Sequence, residues 1–174
     1  MDPDPLPASE YRKMVHAAIG GNPRALTSMV ASQLGIPECE VVRYLPDHLS
    51  QELDATRVVD IIRSFEHLGV VHVIVNSGTV VIEAQGAFGG FSTTGPFLNV
   101  QTNSLDMHIK YKELAFAFAV EKPSHMEGSK TLSLQFFSNE GKSAFKVFLN
   151  FTGTPSNERQ EYYDKSIREF GLHV

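Results

Sequence analysis

His108 lies in a stretch, residues 104 to 110, whose side chains alternate between apolar and polar. On a strand that alternation sends Leu105, Met107 and Ile109 to one face and Asp106, His108 and Lys110 to the other, so the imidazole looks onto a groove or solvent. The next stretch, 114 to 120, puts Leu114, Phe116, Phe118 and Val120 on one face and Ala115, Ala117 and Ala119 on the other, a shallow apolar floor. If Tyr111-Lys112-Glu113 joins the two as a hairpin, with Phe91, Phe97 and Phe136 nearby, an imidazole stands beside a flat apolar surface. That combination suits a large planar ligand carrying a metal. The alanines equally suit the close packing of a helix, which pattern alone favours. Of the other histidines, His16, His48, His67, His125 and His173 have no metal-ligand spacing.

Other chemistries find no support. The Gly86-Ala87-Phe88-Gly89-Gly90 run lacks the order, the following helix and the Lys-Ser or Lys-Thr of a phosphate loop. There is no Gly-x-Ser-x-Gly elbow and no His-Glu-x-x-His pair. Cys39 is the one cysteine, so the chain forms no internal disulfide and no thiolate cluster, and a reducing cytoplasmic setting is expected. Residues 25 to 42 have helix-turn-helix spacing, which raises a DNA-binding regulator as an alternative. Yet between Arg24 and His48 two basic residues, Arg24 and Arg43, face three acids, Glu38, Glu40 and Asp47, the reverse of what phosphate neutralisation needs. Nucleic acid is therefore an unlikely partner, and a structural helix pair is the expected reading.

The elements that must position these residues segregate along the chain. Helical spacing is read over 9–19, after Asn22-Pro23 up to Gly35, from Pro37 to Pro46, and over 54–68 with Val58, Ile61, Ile62, Phe65 and Leu68 in one stripe. From Val70 the period is two, with strands expected at about 70–76, 79–86, 96–101, 104–110, 114–121, 131–138 and 143–151. Asn76-Ser77-Gly78 and Ser138-Asn139-Glu140-Gly141 have hairpin-turn composition. A last amphipathic helix over 156–170 aligns Tyr163, Ile167 and Phe170. The expected fold class is α+β: N-terminal helices, helix-turn-helix-like, then a large, mostly antiparallel sheet and a C-terminal helix packed across it.

The 174 residues, 42% hydrophobic, suffice for one domain, read as 9–174 with a helical part to 68 and the sheet and last helix from 69. Residues 1–8, acidic and proline-rich, read as a disordered lead-in rather than a signal sequence. The formal charge of -5 argues against general affinity for nucleic acid or anionic lipid, and no apolar run reaches the ~20 residues of a membrane span.

With these elements laid out, the sequence resembles the cytosolic heme-utilization carriers of bacterial heme-uptake systems, the ChuX/HutX type, over nearly its whole length. The resemblance is carried by Glu40 to Pro46, Val80-Val81-Ile82-Glu83 with Gly86, Gly90-Phe91 with Gly95 and Phe97, and His108-Ile109-Lys110. The run from Leu134 to Ser143 and on through Phe145 to Leu149 is the most recognisable. The resemblance implies a homodimeric iron-transport protein that holds heme reversibly in a cleft beside the sheet and passes it between heme-import and heme-degrading machinery. It implies a non-catalytic carrier, with a redox-dependent role in heme breakdown as the alternative. His108 stands where members place a heme-contacting histidine. A second heme histidine of a relative is replaced by Asn76, which can bond a propionate but is a poor iron ligand. Ser92-Thr93-Thr94 likewise stand where members have histidines. Tyr111 is a further possible iron ligand, and Lys110 and Lys146 are the cations nearest to meet propionates, each otherwise a solvated charge.

Overall fold

The structure, a computed structural model, describes residues 6–46, 48–124 and 128–172. Most of the expected lead-in, together with His125 and His173, lies outside them. Three helices come first: α1 (Ala8–Gly21), α2 (Thr27–Leu34) and α3 (Glu38–Arg43). Asn22-Pro23 does not start α2. Arg24 N–H bonds the Asn22 Oδ1 and Ala25 N–H bonds the Asn22 carbonyl, so the pair forms its own turn and the helix begins at Thr27. Gly35, at φ 67°, ends α2, and the proline at 37 leads into α3.

The stripe expected over 54–68 is broken into a 3-10 turn (Ala55–Arg57), α4 (Val58–Arg63) and another 3-10 turn (Ser64–His67). It still buries Val58, Ile61, Ile62 and Phe65 together. A short strand precedes it, β1 (Ser50–Leu53). The other strands are β2 (Val70–Asn76), β3 (Val81–Ala87), β4 (Ser92–Thr94), β5 (Phe97–Gln101), β6 (Asp106–Ile109), β7 (Leu114–Pro123), β8 (Lys130–Ser138) and β9 (Ser143–Phe148), before α5 (Asn157–Phe170).

The strands form two antiparallel sheets, a six-stranded one in the order β1-β7-β8-β9-β2-β3 and a three-stranded one, β4-β5-β6. The strands on either side of Tyr111–Glu113 therefore belong to different sheets, and the expected hairpin is instead a 3-10 crossing between them. This also removes the alanine floor from the neighbourhood of His108. Ala117 and Ala119 are fully covered in the main core, which also takes in Tyr163 and Phe170 of α5: close packing of a helix is what the small residues serve.

Alternation splits the large sheet into two unlike faces. One carries Leu132, Leu134 and Phe136 of β8, with Phe145 and Val147 of β9 and Val71 and Val73 of β2, into the main core. The three-stranded sheet adds Leu98, Val100 and Ile109 to that core, where Phe136 stacks on Phe145 at 4.6 Å between ring centroids. The opposite face meets a second core of Val15, Val30, Val41 and Val42 from the helices against Phe118, Val120 and Phe137. Every residue of α3 is buried or half-buried there, and Arg43 is held by Glu40 and Glu52 over the Phe116 ring. A helix so covered cannot enter a DNA groove, which removes the regulator reading.

Candidate functional site

His108 projects from β6 on the outer face of the small sheet, the face expected from parity, with its side chain 57% exposed. Directly opposite, on β5, stands Asn99, only 5% exposed although it lies on the same outward face. Its Oδ1 lies 2.7 Å from His108 Nδ1, while its Nδ2 donates to Ser92 Oγ at 3.1 Å and Thr94 Oγ1 at 3.2 Å, both on β4. An amide oxygen only accepts, so Nδ1 of the imidazole carries the proton, and in the neutral ring Nε2 is the nitrogen whose lone pair is left for a ligand. Asp106 Oδ1 is 3.7 Å from that Nε2, and the Phe97 ring meets the imidazole edge-on at 6.1 Å. An imidazole with its second nitrogen anchored and its first one open, beside an anion and an aromatic ring, is equipped to bind a cationic metal centre set in a flat apolar ligand.

The other expected site residues are elsewhere. Tyr111 opens the 3-10 crossing and packs on the main core, lining a shallow pocket with Val58, Val59 and Ala115. Asn76 ends β2, where its Oδ1 accepts from the Gly78 N–H at 2.8 Å in the hairpin turn. It also lines a separate cavity of about 770 Å³ between the large sheet and residues 22–29. His108 lines neither this cavity nor the Tyr111 pocket, so neither of the two brings the three residues together. His72 shares the Asn76 face of β2, as parity requires, but is stacked on Phe151 at 3.9 Å with Nε2 3.1 Å from Glu83.

Of the two lysines, Lys110 is exposed beside Glu113, as a solvated charge should be. Lys146 is not solvated. It is 13% exposed, ion-paired to Glu38 at 2.5 Å, and lies on the cavity face. There Lys122 donates to the Ala25 carbonyl at 2.9 Å, and burial, reinforced by the Lys146 ammonium, pulls its pKa down to about 8 from 10.5. Cys39 is buried in the second core, and desolvation pushes its thiol up to about 12, so it has no nucleophilic role at neutral pH. Sequence reasoning missed both Asn99 and the cavity. The signals available were the facing of Asn99 and His108 on neighbouring strands, and the polar alternation Thr131, Ser133, Gln135 within an otherwise apolar β8.

Comparison with known proteins matches this arrangement of elements to one group. The chain is 23% identical over 150 residues to the intracellular heme transport protein HutX of Vibrio cholerae, covering 85% of this chain and 74% of that protein. Its fold superposes on a protein from Erwinia carotovora with a TM-score of 0.81 at 18% identity, covering 89% of this chain and 97% of the other. The heme degrading enzyme ChuS of Escherichia coli O157:H7 gives 0.79 at 16% identity, with 97% of this chain matched to 48% of the enzyme. The profile of the family described as haem utilisation ChuX/HutX matches residues 51–165, from β1 through the small sheet and into α5. With well over half of its length matched, this chain belongs to the ChuX/HutX haem-utilisation family.

Proposed function

We propose that the protein is an intracellular heme carrier, which takes up heme against the outer face of the small sheet with His108 Nε2 on the iron. The observation that carries this reading is the His108–Asn99 bond: a buried amide, held by two hydroxyls, engages Nδ1 and leaves Nε2 of a 57% exposed imidazole, with Asp106 3.7 Å away, as the nitrogen available to a ligand. The family and the heme-transport relative support heme as the cargo. Reversible delivery fits a site with one protein–iron bond, because each added axial ligand slows release.

The His108 face is open in a single chain, and a second copy would supply the missing wall, in keeping with a homodimer. Asn76 and Tyr111 have no role toward the iron in this reading, since each lines a pocket of which His108 is not part. The residues bring no reductant fingerprint, so the carrier is proposed as non-catalytic. The likeness to ChuS is one of fold, and this chain spans about half of that enzyme. Product formation from bound heme on addition of a reductant would favour the degrading alternative.

An absorbance titration with hemin tests the proposal. Wild-type protein is expected to saturate with a shifted Soret band, and His108→Ala to weaken binding about tenfold or more and change the spectrum. Equal spectra and affinity for both proteins would remove His108 from the site.

A further inference from the structure

The outer face of the small sheet sets two acceptors against each other. With the imidazole proton on Nδ1, bonded to Asn99, Nε2 of the neutral ring presents a lone pair, and Asp106 Oδ1 lies 3.7 Å from it. The two side chains are held there by β6 itself, two positions apart on one face. A nitrogen lone pair and a carboxylate oxygen so placed repel unless a positive charge stands between them. A proton is one such charge, and a metal ion is another.

The spacing suits the metal ion. A cation held at about 2.0–2.2 Å by each of two such atoms keeps them about 3.0–3.5 Å apart, so a small rotation of the Asp106 carboxylate closes the bite. Gln101, directly opposite Asp106 on β5 and exposed, adds an amide oxygen on the same face, engaged only by Ser92 Oγ at 3.4 Å. Behind the imidazole, the 5% exposed Asn99 amide, donating to Ser92 and Thr94, supplies the outer bond by which metal-binding histidines are oriented. Lys110, the next residue along this face, has its ammonium 3.3 Å from Glu113, which offsets its repulsion of a cation. Among the described residues no group of three His, Cys, Asp or Glu side chains could hold a metal, so the Gln101 oxygen and water must complete the shell and the ion must exchange readily.

We propose that Asp106 and His108, with Gln101, form a site for a divalent transition-metal ion of the Zn²⁺ class in the heme-free protein. An imidazole among oxygen donors favours such an ion over Ca²⁺ or Mg²⁺, which take oxygen ligands. The ion uses the nitrogen proposed for heme iron, so the two exclude each other, but the cation site does not rest on the heme proposal.

The test is calorimetric titration of the tag-free, heme-free protein with Zn²⁺ at neutral pH. One saturable Zn²⁺ per chain is expected, unaffected by excess Mg²⁺. His108→Ala and Asp106→Asn should each weaken it about tenfold or more, whereas His67→Ala, which removes an exposed histidine of another element, should leave it unchanged. No saturable binding overturns the proposal, as does an Asp106→Asn or His108→Ala variant that binds like the wild type, or a His67→Ala variant that loses as much as His108→Ala. A hemin titration in the presence of Zn²⁺ separates the two readings. Zn²⁺ bound as expected with hemin affinity unchanged supports the cation site and removes His108 from the heme seat; His108-dependent hemin binding with no uptake of Zn²⁺ overturns the cation site alone.

Discussion

At the scale of single residues, the orientation of one imidazole decides what the small sheet can do. A free histidine on an exposed strand exchanges tautomers and rotamers, and a metal must then select one of them at a cost in affinity. Here Asn99 removes that choice, and Ser92 and Thr94 in turn hold Asn99. In the proposed site Ser92 and Thr94 would thus act through the amide, not on the iron. Asn99→Ala is expected to lower hemin affinity about tenfold and to broaden or shift the Soret band while His108 is still present. Asn99→Asp, which still accepts from Nδ1–H, should restore affinity. If hemin spectra of wild type and Asn99→Ala coincide, the amide positions nothing.

At the scale of elements, the small sheet depends on the chain reversing between Ala87 and β4. Gly90 does this at φ 63°, and a Cβ there would run into the backbone carbonyl of Gln101, whose own N–H bonds the Gly89 carbonyl at 3.1 Å. Both the left-handed backbone and the close approach require glycine. Gly90→Ala is expected to cost at least about 1–3 kcal/mol from the backbone conformation alone. The damage should centre on β4 and β5, so hydrogen exchange of those strands should accelerate more than that of β8. A thermal midpoint equal to that of the wild type would show that the reversal tolerates a side chain. The six-stranded sheet should survive, because its Phe136–Phe145 core is built from other strands.

At the scale of the whole molecule, one sheet serves two cores and one cavity, and Lys122 links the cavity to stability. Its folded pKa, about 8, lies below the 10.5 of a free lysine. Below pH 8 the ammonium is kept in both states, and the folded protein bears the full cost of burying it. Between about 8 and 10.5 the unfolded chain binds the proton more, so this group's contribution to stability rises with pH. Lys122→Met lacks that dependence. The stability of the variant relative to the wild type, measured by urea unfolding, should therefore decline as pH is raised from 7.5 to about 9.5. A gap that is constant over that range would mean that the lysine is as well solvated folded as unfolded. Taking the difference between the two proteins cancels the general effect of a net charge that starts at -5.

Much of this protein is determined by local pattern. The segregation of helices and strands, the turns at Asn76 to Gly78 and Ser138 to Gly141, the stripe of the last helix and the two faces of β6 all follow from side-chain periodicity. Periodicity is a property of neighbouring residues, so it is legible in the sequence. Strand pairing is not local. Whether β6 continued into the sheet of β7 or closed a sheet of its own depended on which apolar faces could be buried together, and only the tertiary structure decided it. That choice took Ala117 and Ala119 away from His108 and placed them under α5. It also set Asn99 opposite His108, and it gathered Lys122, Gln135 and Lys146, up to 24 positions apart in the chain, beneath one cavity. The residue that could bind a metal was visible as a type and a parity; what holds its nitrogen, and what lies on the far face of the sheet, required long-range contacts that no window of sequence contains.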